Sequence, residues 1–184
     1  MTSFIDKTIS ALKQRLAEND GLITVQSEEG SISQVQFRFR PPLTEQDICS
    51  FEKDIGYELP FDYRQFLKIC NGCDLFSHPE YGGEAYLFGL RDIHEQSYEE
   101  PGEGFLKLGY FYGDNIVIDL NKVKVGDLNY LLVKDAIDHF YEARELHMNF
   151  ELWLDRYIMC GGASFWNWHV YGADRYYQSK CQSE

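Results

Sequence analysis

The side chains that could do chemistry in this sequence include five cysteines, two of which form a CxxC motif. Cys70 and Cys73 could hold zinc or exchange disulfides. A zinc site needs four ligands, and Cys160 and Cys181 do not supply a second pair at matching spacing. A redox CxxC motif lies at a helix N-terminus, where the dipole favours the thiolate, whereas the pattern places Cys70 in the last turn of a helix. We therefore expect a buried Cys70 and an incidental Cys73.

The other candidate catalytic groups are scattered along the chain. The five histidines do not form a helical i, i+4 metal pair, and His94-Glu95 is predicted to be a solvated loop pair. Gly102-Glu103-Gly104 lacks the further glycine and the Gly-Lys-Ser/Thr of phosphate loops, and no Gly-x-Ser-x-Gly is present. These observations predict a protein that is not an enzyme and has no metal or cofactor site.

The distribution of carboxylates is more informative. The chain has 30 acidic against 17 basic residues, a formal net charge of −13, which argues against binding to nucleic acid or to an anionic membrane. From Asp74 to Glu103 there are eight acids and one base, Arg91, with tyrosines between them. The residues predicted to contact a partner are Asp74, Glu80, Tyr81, Glu84, Asp92, Glu95, Tyr98, Glu99, Glu100 and Glu103. Charge would steer a basic protein and the rings would hold it; the alternative is a solvated acidic loop.

The elements that must position these residues follow from local patterns. An apolar stripe at positions 5, 9, 12 and 16 predicts a helix that Asn19-Asp20-Gly21 ends. Residues 35–39 alternate as a half-buried strand. Thr44, with Asp47 at N3, predicts the start of a second helix that Gly56 ends. Pro60 begins a third helix.

The middle of the chain is strand-like. Runs at 86–88, 105–112, 115–120 and 129–133 are joined by short turns, which favours an antiparallel sheet over βαβ units. The acidic residues fall in two predicted loops on either side of the 86–88 strand. Residues 136–148 fit a helix or a strand equally. Asn149 caps a last helix that Gly161-Gly162 ends, and the aromatic tail is expected to pack on the domain or on a partner.

The length and composition are those of one globular domain, residues 1–184, with 44% apolar and 26% charged residues. The first twenty residues are rich in charge and contain no apolar segment typical of a secretory signal. No stretch approaches the roughly 18 apolar residues of a membrane span. The odd number of cysteines has no disulfide spacing, which favours reduced thiols. The expected location is the cytoplasm.

The segment from Leu43 to Gly72 resembles the signature of the SUKH superfamily, also called the Smi/Knr family. Its parts are a short helix, a glycine, the Leu59-Pro60 pair, the Asp62-Tyr63 step, a second helix and Asn71-Gly72. Residues 87–93, 113–119 and 150–157 resemble later blocks of the family. The similarity covers about residues 41–160, leaving an N-terminal helix and strand in 1–40 and an aromatic tail in 161–184. Residues 122–148 depart from the pattern.

The resemblance implies an α+β fold with a mainly antiparallel β-sheet and flanking N-terminal and C-terminal helices. Bacterial members are largely immunity proteins that neutralise toxin domains, often nucleases, of polymorphic or contact-dependent toxins. The leading hypothesis is therefore a bacterial immunity protein that binds a cognate, basic toxin domain. One alternative is a regulatory interaction scaffold similar to the fungal regulators of cell-wall assembly, and another is a small-ligand-binding domain.

Overall fold

A computed structural model of the chain describes residues 4–98, 104–169, 172–174 and 176–177, and describes residues 97 and 98 by their backbone alone. Within these ranges the helices are α1 (Phe4–Ala17), α2 (Glu45–Ile55), α3 (Phe61–Leu67), α4 (Leu90–Tyr98), α5 (Leu120–Lys124) and α6 (Phe150–Met159). The strands are β1 (Ile23–Gln26), β2 (Ile32–Phe39), β3 (Cys73–Ser77), β4 (Ala85–Leu87), β5 (Phe105–Phe111), β6 (Asp114–Asp119), β7 (Leu131–Asp135) and β8 (Arg144–Glu145).

These strands form one antiparallel sheet whose spatial order follows the sequence. Because neighbouring strands run in opposite directions, successive connections alternate between the two ends of the sheet. The β1–β2, β3–β4, β5–β6 and β7–β8 connections share one end, which we call the hairpin end. The connections that contain α2 to α5 share the other end. The α+β architecture with an antiparallel sheet confirms the prediction.

The main core lies between one face of the sheet and the helices α1, α3 and α6. Trp153 and Tyr157 of α6 are fully buried, and their rings meet that of Phe111 on β5 at centroid distances of 5.1 and 5.2 Å. Trp166, which follows α6, is buried against the same rings. Edge-on aromatic contacts of this kind add to the area that the rings bury. They fix the end of α6 next to the hairpin end of the sheet.

The opposite face of the sheet is partly covered by the β7–β8 connection. Phe140 in this connection is buried in a second, smaller apolar cluster with Val117 and Leu132. The ammonium groups of Lys107 and Lys134 lie 5.8 and 5.6 Å from the centre of the Phe140 ring, within the range of a cation–π contact. This cover accounts for the ambiguous pattern of residues 136–148, which form a short 3-10 turn and the two-residue strand β8.

The α2–α3 segment forms as its sequence predicts. Thr44 and Asp47 make a reciprocal capping box, in which the Asp47 N–H donates to Thr44 Oγ1 over 3.2 Å. Gly56 ends α2 in the left-handed conformation with φ of 73°. Arg64 of α3 reaches back across α2 and bonds both Glu45 and Glu52. One guanidinium group therefore links the two helices, because its planar set of N–H donors can bond two carboxylates at once.

Glu45 makes the stability of the fold depend on pH. Its pKa is held below the ordinary value by a hydrogen bond from Lys68, whose Nζ lies 2.7 Å away, and by the charge of Arg64. A carboxylate with a lowered pKa stabilises the fold above its unfolded pKa, and the contribution is lost as pH falls through the folded pKa. We expect Glu45→Gln to lower the urea midpoint at pH 7 and to have a smaller effect near pH 3. The exposed Glu58→Gln is the control; an equal effect of Glu45→Gln at both pH values would contradict the pairing.

Asp62, which follows Pro60 and Phe61, connects three elements at the helical end of the sheet. Its carboxylate is buried and accepts hydrogen bonds from the Tyr130 hydroxyl over 2.5 Å and from the Glu151 N–H over 3.0 Å. The Phe150 N–H in turn donates to the Tyr130 oxygen over 3.0 Å. Burial and the charge of Asp62 raise the pKa of Tyr130 well above its usual value, so the hydroxyl stays a donor. Asp62 thereby satisfies the start of α6 from a distant part of the chain.

Four elements differ from the sequence prediction. Residues 90–98 were expected to form a loop and instead form helix α4. The helix can begin at Leu90 because the Leu90 N–H donates a hydrogen bond of 2.9 Å to the distant Asn71 side chain. The strands β1 and β3 and the helix α5 add three short elements that the patterns did not predict. β1 and α5 have four and five residues, too few to establish a period. In β3, the left-handed Phe76, with φ of 50°, interrupts the alternation.

Candidate functional site

The structure separates the predicted contact residues into two groups on either side of β4. A turn group, formed by Asp74, Glu80, Tyr81 and Glu84, lies on β3 and in the β3–β4 connection. A helix group, formed by Asp92, Glu95 and Tyr98, lies on α4, which follows β4. Glu99, Glu100 and Glu103 fall outside the described residues. The acidic stretch is therefore not one continuous loop. Glu80, Tyr81 and Glu84 lie at the hairpin end of the sheet, the helix group lies at the other end, and Asp74 lies on β3 between them.

The β3–β4 connection is a closed turn that presents Tyr81. His78 and Gly82 exchange two backbone hydrogen bonds of 2.8 and 3.0 Å. The Nδ1 atom of His78 accepts from the N–H groups of Glu80 and Tyr81 over 3.1 and 3.3 Å, and the rings of His78 and Tyr81 stack at 4.6 Å. Tyr81 is nevertheless 84% exposed. An aromatic ring held in this way loses little conformational entropy on binding a partner.

Asp74 lies on the face of the sheet opposite the main core, in the part that the β7–β8 connection does not cover. Cross-strand pairing places Asp74 beside Arg38 on β2 and Tyr86 on β4. The Arg38 guanidinium is 3.9 Å from the Asp74 carboxylate, and 79% of the Arg38 side chain is exposed, so this ion pair is weak. A shallow cavity of about 190 Å³ lies between these residues and the His78–Gly83 turn. A cationic side chain of a partner could enter it and replace Arg38 next to Asp74.

In the helix group, the carboxylates are already engaged within the chain. Asp92 forms an ion pair with Arg40 and accepts a hydrogen bond from the Gly89 N–H over 3.0 Å. Glu95 pairs with Arg91 at 2.8 Å, one helical turn away on the exposed face of α4. The hydrogen bond to Glu95 raises the pKa of Arg91. These two acids therefore offer a partner less unbalanced charge than Glu80 and Glu84 do.

The two thiols of the CxxC motif are part of the packed core. Cys70 and Cys73 are both fully buried and free. A hydrogen bond with Cys70 and burial raise the pKa of Cys73 well above that of an exposed thiol, so it stays protonated and unreactive. Among the described residues, no three His, Cys, Asp or Glu side chains are grouped to bind a metal ion. Within the same residues, no helix has both the length and the apolar character to cross a membrane.

The hairpin end carries further exposed residues that the sequence did not single out. Its connections are residues 27–31, 78–84, 112–113 and 136–143, and they contain six carboxylates but neither Lys nor Arg. The carboxylates are those of Glu28, Glu29, Glu80, Glu84, Asp138 and Glu142. Large apolar side chains between 56 and 90% exposed stand among them, namely Tyr81, Tyr112, Ile137 and Tyr141. These residues are distant in sequence, and only the alternation of connections in an antiparallel sheet could have grouped them.

Backbone hydrogen bonds join these connections into one surface. The Tyr112 N–H donates to Glu84 O over 3.0 Å, and the Ala136 N–H donates to Gly113 O over 2.7 Å. A cleft of about 540 Å³ continues the surface between the β1–β2 hairpin and residues 160–164, and Val35, Phe76 and Tyr112 contribute to its lining. The hairpin end thus combines acids with exposed rings, which are enriched at protein-binding surfaces, and with a concave apolar cleft.

An α+β domain that presents an acidic, aromatic surface beside a cleft is a candidate protein-binding module. The sequence profile of the SMI1 / KNR4 family (SUKH-1) matches residues 42–156, so the chain belongs to this family. The chain is 36% identical over 189 aligned positions to the uncharacterized protein YobM of Bacillus subtilis (strain 168), with 98% of this chain and all of YobM covered. It is 35% identical over 131 positions to the uncharacterized protein YnaB of the same strain, with 71% of this chain and 86% of YnaB covered.

Proposed function

We propose that this protein is an immunity protein that binds and neutralises a cognate toxin domain, a basic nuclease of a polymorphic or contact-dependent toxin. It acts in the cytoplasm, by binding and without catalysis. Membership of the SMI1 / KNR4 family carries the proposal, because the bacterial members of this family are largely immunity proteins. The toxin domain is basic because a nuclease must hold a polyanionic substrate.

The charge of the chain supports this partner. With 30 acidic and 17 basic residues, the protein attracts a basic domain and repels nucleic acid. An acidic protein that covers the nucleic-acid groove of a nuclease supplies carboxylates where phosphates would lie. Such a complex forms quickly, because complementary charge raises the association rate, and it forms more slowly as salt is added.

Co-expression with the C-terminal domain of a large secreted protein encoded beside this gene tests the proposal. We expect cells that produce the toxin domain alone to stop growing, and cells that also produce this chain to grow normally and to yield a stable complex. An unrelated acidic protein of similar size is the control for charge alone. Growth arrest that is equally fast with and without this chain, with no complex recovered, would contradict the proposed function.

A further inference from the structure

We propose that the partner docks on the hairpin end of the sheet, with a cationic surface that carries apolar anchors. This inference rests on the proposed function and locates its binding surface. It selects the hairpin end over the acidic face of α4, although both contain residues that the sequence predicted as contacts. The exposed apolar side chains of the hairpin end indicate where the partner binds. The charge of this end indicates that the partner's surface is basic.

Four large apolar side chains of the hairpin end are exposed to solvent and do not pack in the core. Tyr81, Tyr112, Ile137 and Tyr141 stand on turns closed by local hydrogen bonds, and more than half of each side chain is exposed. Exposed rings held in fixed turns and adjacent to a cleft are typical of the anchors that carry most of the energy of an interface. The adjoining cleft of about 540 Å³ is large enough to accept a side chain from the partner.

The charge of the two ends of the sheet identifies the occupant as basic. The six carboxylates of the hairpin-end connections have no Lys or Arg among them. The connections at the helical end contain nine Asp or Glu residues in their described part, together with seven Lys or Arg residues, namely Arg40, Lys53, Arg64, Lys68, Arg91, Lys122 and Lys124. Several of these pair with nearby acids, as Arg64 does with Glu45 and Glu52. A basic surface is therefore attracted to the hairpin end and meets mixed charge at the other.

A cationic probe tests the location of this surface without the toxin. The isotope-labelled full chain is titrated at low ionic strength with an octapeptide of alternating arginine and tryptophan, and the backbone amides are followed by NMR. We expect the shifted amides to cluster in residues 27–31, 78–84, 112–113 and 136–143. Shifts centred on α4 or α2, an absence of shifts, or concentration-dependent broadening of these amides without peptide, which indicates a second copy of the chain, would each overturn the inference.

Charge reversal with a matched control completes the test. In the same titration, Glu80→Lys with Glu84→Lys is expected to weaken the peptide at least about tenfold. Asp54→Lys with Glu58→Lys changes the net charge equally at the helical end and is expected to weaken it less than about twofold. Equal weakening by both pairs would overturn the inference.

The toxin assay separates the two proposals. Protection by the wild-type chain that survives undiminished in Glu80→Lys with Glu84→Lys would refute the docking surface and leave the immunity function standing. Failure of the wild-type chain to protect would refute the immunity function, while the peptide titration would still decide whether the hairpin end binds a cationic surface. Loss of protection in this pair alone, with both variant pairs folded as judged by their amide spectra, is the result that we expect.

Discussion

Replacing Asp62 with alanine is expected to lower the free energy of unfolding by about 3 to 5 kcal/mol. The carboxylate accepts hydrogen bonds from the Tyr130 hydroxyl and the Glu151 N–H, in a part of the molecule where water does not replace it. Its removal leaves these donors without an acceptor, and each buried unsatisfied group costs about 1 to 3 kcal/mol. Urea unfolding monitored by tryptophan fluorescence measures the change.

Two further variants distinguish the network from the mere loss of a charge. Asp54→Ala removes an exposed carboxylate of α2 and is expected to change stability by no more than about 0.5 kcal/mol. Tyr130→Phe removes the hydroxyl that links Asp62 to the start of α6, so its effect and that of Asp62→Ala should not add in the double variant. If Asp62→Ala is as mild as Asp54→Ala, or if the two effects add, the network does not stabilise the fold.

Gly72→Ala is the second substitution with a large expected effect, about 3 kcal/mol or more of destabilisation. Gly72 has a φ of 85°, and a Cβ atom there would lie 2.7 Å from both Gly89 N and Leu87 O. Both contacts are with backbone, which cannot rotate away, so β4 and the chain that enters α4 would have to move. The chain passes this close because Asn71 caps α4 at the same point.

Gly56→Ala provides a matched control, because Gly56 has a similar φ of 73° but no atom within 4 Å of the position of a Cβ. It carries the conformational cost of the left-handed region alone, about 1 kcal/mol after the lower entropy of the unfolded chain is included. The difference between the free energies of unfolding of the two variants, measured by urea unfolding, gives the cost of the close backbone contact between Gly72 and residues 87–89. Equal effects would mean that the structure relaxes around Gly72 without cost.

The parts of the fold that the sequence predicted are those with a local physical cause. The helix α2 begins at a capping box and ends at a left-handed glycine, both of which are readable from a few adjacent residues. The start of α4 depends on Asn71, nineteen positions before Leu90, and β8 depends on the apolar cover formed around Phe140. These elements are fixed by contacts that form only when the sheet is assembled.

The candidate site shows the same division between local and assembled features. The sequence placed Glu80, Tyr81 and Glu84 among the predicted contacts, and whether they touch a partner stays a prediction. It could not add Tyr112, because the N–H of Tyr112 bonds Glu84, which belongs to another hairpin. Nor could it set Asp92 apart from Glu80, since the ion pair between Asp92 and Arg40 joins residues far apart in the chain.

The alternation of connections along the sheet also determines where this protein tolerates change. The Thr44–Gly72 segment, with its caps, its Arg64 clamp and the Asp62 network, lies in a helical connection, so substitutions there disturb the core. Apart from the buried Phe140, the hairpin connections contribute far less to the core. Doubling the length of such a loop costs only about 0.6 kcal/mol. One end of the molecule can therefore keep the fold stable while the other accumulates insertions and replacements, which allows a lineage to follow a changing partner without refolding its scaffold.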